Sequence, residues 1–259
     1  MKEAYALNDA ILEIDGITKY FSVDRGIFKK ELGIIKALDD VSFAVAEFET
    51  KGIVGESGSG KTTLAKIILQ LIQPTSGRVK FNEEKITNFR KDVQIIFQNP
   101  YNSLNPKMRI IDILTEPLYI HRIIPRKLFK ERAIELINMV GLDKDILDRY
   151  PIEFSGGQRQ RICIARVLAV EPRLIVLDEP ISSLDLTIQA QMLDLFLELK
   201  DKLKLTLIFI SHNLAVIKCI ADSIIVMQNG KVVEQAESDS IFSHPVHPYT
   251  KALLESAKG

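Results

Sequence analysis

The run Gly55-Glu56-Ser57-Gly58-Ser59-Gly60-Lys61-Thr62 fits the spacing G-x-x-x-x-G-K-[ST]. Its glycines let the backbone curl until successive N–H groups point inward, a shape that binds phosphate oxygens. The Lys61 ammonium then belongs on the β- and γ-phosphates of a nucleotide, and the Thr62 hydroxyl on Mg²⁺. Gly55, Ser57, Gly58, Ser59, Gly60 and Thr63 complete the candidate cradle. A second candidate group is Asp178-Glu179-Pro180, which follows the continuous apolar run Leu174 to Leu177. A carboxylate where a buried strand emerges beside a phosphate loop can hold Mg²⁺ through water, which assigns Asp178 to the metal. Glu179, one residue further, can polarise an attacking water. Taken alone, this pair also fits a solvated strand end. A third group, Phe154-Ser155-Gly156-Gly157-Gln158, precedes a helix expected over 161–170 and forms a further anion-binding nest at a helix start.

The elements that must position these groups follow from hydrophobic period. Lys51 to Val54 reads as a strand and Thr63 to Ile72 as a helix, with Leu64, Ile67, Ile68 and Leu71 on one face. The phosphate loop therefore lies between strand and helix, where the helix N-terminus adds positive potential. Ile11 to Ile14, Val41 to Val45, Arg78 to Phe81 and Val93 to Phe97 read as further strands. From Asn99 to Arg166 prolines 100, 106, 117, 125 and 151 punctuate helical stretches such as Arg126 to Val140. Strand–helix alternation then returns, with Leu174 to Leu177 and Leu205 to Ile210 as buried strands and Thr187 to Leu203 as a helix. Asn229-Gly230, between Ser223–Met227 and Lys231–Glu234, is a hairpin signal. The whole reads as α/β.

Composition sets bounds. The 259 residues are 46% hydrophobic and 26% charged, with 34 basic and 34 acidic side chains. Zero formal charge gives no global pull toward nucleic acid or an anionic membrane. No run approaches the ~20 apolar residues a membrane span needs, and no signal peptide is apparent. Cys163 and Cys219, in no C-x-x-C pattern and both in apolar helical contexts, read as buried free thiols of a reducing cytoplasm.

Together, S-G-G-Q at 155–158 and L-D-E-P at 177–180 resemble the signature and Mg²⁺ motifs of ATP-binding cassette (ABC) transporter ATPases, and the resemblance covers essentially the whole chain. It implies a P-loop NTPase (ABC ATPase) core with an N-terminal antiparallel β subdomain and an inserted α-helical subdomain. One domain would span 1–259, its core 1–98 and 167–259 and its insert about 99–166. Residue by residue, Gln98 matches the glutamine that senses Mg²⁺ and water, and His212 the histidine on the γ-phosphate. Ser183-Leu184-Asp185 matches the loop that reaches a second subunit. Phe21 matches the aromatic stacked on adenine, with Tyr20 as the fallback and a plain core aromatic as the alternative. Ser155, Gly156, Gly157 and Gln158 would contact the γ-phosphate of ATP held by the other subunit, so that two cassettes clamp two nucleotides. ATP and Mg²⁺ are the implied cofactors.

Gln98 to Pro106, Glu116-Pro117-Leu118 and the tail His247-Pro248-Tyr249-Thr250-Lys251-Ala252-Leu253-Leu254 are similar to the oligopeptide/dipeptide/nickel importer ATPases. That subgroup implies a second ATPase subunit, identical or related, two permease subunits and an extracytoplasmic substrate-binding protein. It implies no nucleic acid, and a peripheral place on the cytoplasmic face of the inner (plasma) membrane. The cysteine-containing extension of many peptide importers does not follow the tail, so no iron–sulfur cluster is expected. Phe154, Phe48, Ile181 and Asn213 stand where the family usually has Leu, Gly, Thr and Asp; Phe48 puts the geometry of a turn in question, and Asn213 removes a charge beside His212. His244 and His247 could ligate a metal by spacing, though an ordinary tail accounts for them. The basic stretch His121 to Arg132 reads as a solvated face.

Two other classes remain at this point. A soluble cassette of translation or DNA maintenance would carry two phosphate loops or a long coiled coil, and this chain shows one loop. An ATP-dependent switch without turnover would not need Glu179 and His212.

Overall fold

Leu12 and Ile14 in one segment and Val41, Phe43 and Val45 in another alternate with more exposed neighbours, the pattern of a sheet with one buried face. In a computed structural model, which describes residues 10–24, 31–98 and 103–256, these residues pair antiparallel, Ile14 opposite Phe43. They belong to strands β1 (Ala10–Asp24) and β2 (Glu31–Ala46). With β4 (Ser76–Phe81) they form a three-stranded sheet in the order β2-β1-β4.

Strand β3 (Thr50–Val54) is buried at every residue because it has a parallel neighbour on each side. Those neighbours are β7 (Thr206–Ile210) and β8 (Ser223–Gln228). Lys51, 2% exposed, sits in β3 with its ammonium 2.7 Å from Glu49 and 2.5 Å from the Ser223 hydroxyl, so its charge is paired. Strand β9 (Lys231–Glu237) pairs antiparallel with β8 through Asn229 and Gly230, at φ 49° and 79°. That is the left-handed pair a two-residue hairpin turn of matching twist requires. Helices α1 (Lys61–Ile68), α7 (Leu214–Ile220), α8 (Ser238–Ser243) and α9 (Pro248–Ser256) complete a compact unit made of Met1–Ile86 and Thr206–Gly259.

The other compact unit is Thr87–Leu205. It contains α2 (Phe89–Asp92), β5 (Val93–Ile96), α3 (Ile110–Ile120), α4 (Phe129–Met139), α5 (Gly156–Leu168), β6 (Leu174–Asp178) and α6 (Leu186–Leu203). β5 and β6 are parallel. The continuous apolar run Leu174 to Leu177 is buried throughout, as expected of a strand covered on both faces.

Several local expectations change. Helix α1 ends at Ile68, four residues before the expected Ile72, because Gln70 turns left-handed (φ 55°) and Leu71 N–H folds back to the Lys66 carbonyl. Leu71 is then 51% exposed instead of joining Leu64, Ile67 and Ile68 in the core. Pro117 lies inside α3 and does not end it. Cys163 is buried but Cys219 is exposed, since α7 turns Val216, Ile217 and Ile220 inward and Cys219 outward. Phe48 keeps its turn by adopting φ 65°, its N–H donated to the Thr206 hydroxyl and its ring half exposed. A non-glycine residue pays about 1–2 kcal/mol for that conformation.

Candidate phosphate-binding and hydrolytic site

The phosphate loop leaves the end of β3 and runs into α1. Gly60, the residue before the helix, has φ 105°, and a Cβ there would meet the Ala37 carbonyl oxygen at 2.4 Å. A Cβ on Gly55 would stand 2.2 Å from the Met227 carbonyl oxygen. Glycine is thus required at both ends of the loop by the walls around it. Lys61 is 5% exposed and donates to the carbonyls of Gly55 and Glu56, both at 2.8 Å, and to the Ser59 hydroxyl at 3.4 Å. Its ammonium therefore lies inside the loop whose N–H groups it is expected to assist. Ser59 is buried, Thr62 is exposed and Thr63 half-buried. Gly58 is left-handed (φ 82°), Ser57 exposed.

Register explains a neighbour. Ile53 of β3 is paired with Ile210 of β7, so the residues that follow each strand leave at the same level. Gly55 follows β3 and His212 follows β7, and His212 is exposed there. Ser211 accepts the Asn213 N–H at 3.0 Å, and Asn213 Oδ1 accepts the N–H groups of Ala215 (2.9 Å) and Val216 (3.4 Å), capping α7. An amide in place of a carboxylate still makes this cap, so the departure at Asn213 keeps the turn that carries His212.

The same logic operates in the other unit. Ile96 pairs with Leu177, and Gln98 and Glu179 each lie two residues beyond. Gln98 Nε2 donates to Glu179 Oε2 at 3.3 Å and to the Ser182 hydroxyl at 3.4 Å. Asp178, at the end of β6, is 7% exposed. Within this unit the buried Asp178 carboxylate and the exposed Gln98 amide, and in the other unit the exposed Thr62 hydroxyl, each offer the oxygen donors a hard dication such as Mg²⁺ prefers.

Ser155 is the N-cap of α5, and its hydroxyl accepts the Gln158 N–H at 3.3 Å while Gln158 Oε1 accepts the Ser155 N–H at 3.0 Å. This reciprocal box gives Gln158 a role in setting the Ser155 backbone. A Cβ on Gly157 would meet Ile188 Cγ2 at 2.8 Å, and one on Gly156 would touch Leu184 at 3.4 Å. The two glycines therefore also let α5 approach the start of α6. Asp185 caps α6, its Oδ1 accepting the Ile188 N–H at 3.0 Å. Phe154 is buried, and the Arg149 guanidinium lies 4.7 Å from its ring centre.

Phe21 is 41% exposed with the Lys19 ammonium 5.1 Å from its ring centre. Tyr20 is otherwise engaged: its hydroxyl donates to Asp39 Oδ1 at 3.0 Å, and Lys36 lies over its ring at 5.3 Å. The Tyr20 hydroxyl, then Lys231, hold the Asp39 carboxyl below the usual carboxylate range, and the bond to Asp39 raises the Tyr20 phenol. Of the two rings, Phe21 is the less committed.

The hairpin turn is legible in the sequence, but its contact with the phosphate loop is not. Gly230, in the β8–β9 hairpin, donates its N–H to the Ser59 carbonyl at 3.1 Å and accepts the Asp39 N–H at 2.8 Å. The hairpin thereby fixes the phosphate loop against β2. His244 and His247 do not converge on a metal: Ser243 Oγ lies 2.8 Å from His244 Nδ1, and Tyr249 N–H donates to His247 Nδ1 at 3.2 Å. Among the described residues no helix is long and apolar enough to cross a membrane.

Comparison with known proteins matches residues 38–182 to the ABC transporter family and residues 233–258 to the oligopeptide/dipeptide transporter C-terminal region. The chain is 43% identical over 259 residues to a probable peptide ABC transporter ATP-binding protein, y4tS, of Sinorhizobium fredii, covering 97% of this chain and 73% of that one. It is 44% identical over 257 residues to the dipeptide transport ATP-binding protein DppF of Haemophilus influenzae, covering 96% and 78%. A dimeric post-hydrolysis structure of the ATP-binding cassette MJ0796 bound to ADP and Pi superimposes with a TM-score of 0.73 at 28% identity, covering 88% of this chain and 98% of that one.

Proposed function

This chain belongs to the ABC transporter ATPases, and from that premise we propose that it is the ATP-hydrolysing subunit of an importer that takes up peptides through partner permeases. The observation that carries the reading is the phosphate loop, in which Lys61 is seated by two loop carbonyls at 2.8 Å at the start of a helix. The residues 233–258, similar to the oligopeptide/dipeptide C-terminal region, favour peptide over nickel chelate as cargo.

In this reading the loop N–H groups, Lys61 and the α1 N-terminus bind the phosphates of ATP, and Phe21 stacks on the adenine. Thr62, Asp178 and Gln98 hold Mg²⁺, which when bound supplies positive charge to the phosphate oxygens. Glu179 accepts a proton from the attacking water, Gln98 orients that carboxylate and the water, and His212 donates to the γ-phosphate. Ser155, Gly156 and Gly157 belong to the second protomer's nucleotide, with Asp185 at the same interface. Charge-assisted hydrogen bonds to a γ-phosphate exist before hydrolysis and not after it, so occupancy alternates between closed and open pairs. That alternation does work on permeases at the cytoplasmic face of the membrane, where a substrate-binding protein on the opposite side delivers cargo.

The test is reconstitution with the cognate permeases and binding protein in liposomes, with phosphate release read as cargo is added. Di- to oligopeptides should stimulate turnover several-fold, and Lys61→Ala should abolish it. Stimulation by a nickel chelate and not by peptides would replace the cargo assignment, and wild-type turnover in Lys61→Ala would remove the site assignment.

A further inference from the structure

The C-terminal segment reaches the phosphate loop. Tyr249, in the first turn of α9, accepts the backbone N–H of Glu56 on its phenol oxygen at 3.1 Å. The carbonyl of that same Glu56 accepts Lys61 Nζ at 2.8 Å and the Ser59 N–H at 3.2 Å. A single loop residue therefore stands between the tail tyrosine and the loop lysine, bonded to both.

The tyrosine is itself held. Glu234 of β9 accepts the N–H groups of Val246 at 2.8 Å and His247 at 3.0 Å, fastening the start of the segment to the sheet edge. His247 Nδ1 then accepts the Tyr249 N–H at 3.2 Å, setting the first turn of α9. Thr250 and Leu254 are buried and seat the rest of the helix. Every link from β9 to Glu56 thus lies in residues whose backbone or side chain is fixed by another.

We propose that Tyr249 is a positioning residue for the phosphate loop, and that residues 244–256 form a strut that holds Glu56, and through it the Lys61 anchor, in the shape that receives nucleotide. The inference rests on the reading of residues 55–62 as the ATP phosphate site. Its physical content is pre-organisation: a loop with several glycines has many alternative shapes, and a bond to a helix-borne phenol removes some of them before ligand arrives. Loss of that bond should show as weaker nucleotide binding, with the chemical step of bound ATP unaffected, because Tyr249 touches no reacting atom.

The experiment uses the full chain carrying Tyr249→Phe, which keeps the ring and deletes only the acceptor oxygen. Amide hydrogen exchange across residues 55–61, without nucleotide, should quicken roughly three- to tenfold, the range set by loss of one ordinary hydrogen bond. Exchange in β3, β7 and β8 should stay as in the wild type, which separates a local strut from general loosening. The Kd for MgATP should rise by a similar factor with kcat retained. Tyr249→Leu, which also removes the ring, should weaken binding at least as much. Unchanged loop exchange in both variants overturns the proposal, as does faster exchange with an unchanged Kd. Failure of the unsubstituted chain to bind ATP removes the phosphate-site reading along with the strut, and is recognised because it needs no substitution to appear.

Discussion

Gln98 Nε2 lies 3.3 Å from Glu179 Oε2, although 81 residues separate them, because β5 and β6 run parallel with Ile96 opposite Leu177. Each polar residue is the second after its strand's last pair. Parallel register carries both to one strand-end row, the edge at which open α/β sheets bind ligands. Glu179 also takes φ 51°, a left-handed conformation that costs a non-glycine residue about 1–2 kcal/mol. Strain at a carboxylate that is hydrogen-bonded to an amide fits the proton-accepting role proposed for Glu179.

Glu179→Gln should therefore leave ATP binding intact and lower turnover by about 10²–10⁴-fold, the range of a lost general base. Phosphate release and nucleotide affinity, measured on the same preparation, check this. Loss of affinity in step with turnover would place Glu179 in binding and not in proton transfer.

The backbone conformation gives a separate expectation. Glu179→Gly and Glu179→Ala should both be inactive, but the glycine variant should melt about 2–4 °C higher, since it relieves roughly 1 kcal/mol of left-handed strain that alanine retains. Calorimetry decides it, and a glycine variant that melts below the alanine one would show that the φ of 51° at Glu179 is not strained.

What the sequence made legible was local. The phosphate loop, the buried run Leu174 to Leu177 and the Asn229-Gly230 turn each carry their signal within a few residues, because each is dictated by backbone sterics or by one strand's burial. The contacts that complete the site are of another kind. Gly230 to Ser59 and Tyr249 to Glu56 join residues far apart in the chain, the latter by 193 positions; the first runs between backbone groups that any residue type provides, and the second ends on a backbone N–H that carries no sequence signal of its own. Cys219 shows the limit for side chains: an apolar neighbourhood in sequence did not say which way a seven-residue helix would face. Leu71 shows it for helix ends, where one left-handed glutamine removed a residue from the expected apolar face.

Ser155 has a structural duty as the α5 cap and a proposed one toward nucleotide in trans, and two substitutions separate them. Ser155→Ala should cost about 1 kcal/mol through the lost cap. Ser155→Asp should keep the cap and the melting temperature, because aspartate caps as well as serine. It also puts a negative charge where a γ-phosphate is expected, so ATP-dependent pairing in a Glu179→Gln background should disappear by light scattering. A Ser155→Asp chain that still dimerises on ATP would confine Ser155 to capping.

The two thiols should react differently. Burial pushes the Cys163 thiol up to about 11, against a smaller opposing pull from Arg166. Cys219 is exposed. A maleimide at neutral pH should modify Cys219 alone in the folded chain and both cysteines in denaturant, as peptide mass spectrometry will show. Rapid modification of Cys163 in the native chain would contradict its packing in α5.

Glu234 is the carboxylate that fastens the tail to the sheet edge. Partial burial by itself would raise the Glu234 carboxyl; the buried Thr250 hydroxyl, short of full hydrogen-bond geometry, and the N–H groups of Val246 and His247 outweigh it, with His247 adding attraction. The net result lies below the ordinary value of 4.5. A lowered pKa means that the detached tail binds a proton more readily than the docked one. The docking contribution is then fully present above the ordinary value and is lost as pH falls through the lowered one. Amide exchange at Val246 and His247, corrected for the intrinsic pH dependence of exchange, should hold its protection from neutral pH down to about 4.5 and lose it in stronger acid. Glu234→Gln should show weakened protection already at pH 7 and a flat acid profile, because its amide is neutral throughout and a poorer acceptor than a carboxylate. An unaltered acid transition in Glu234→Gln would assign the titration to another group and detach the tail's stability from this residue.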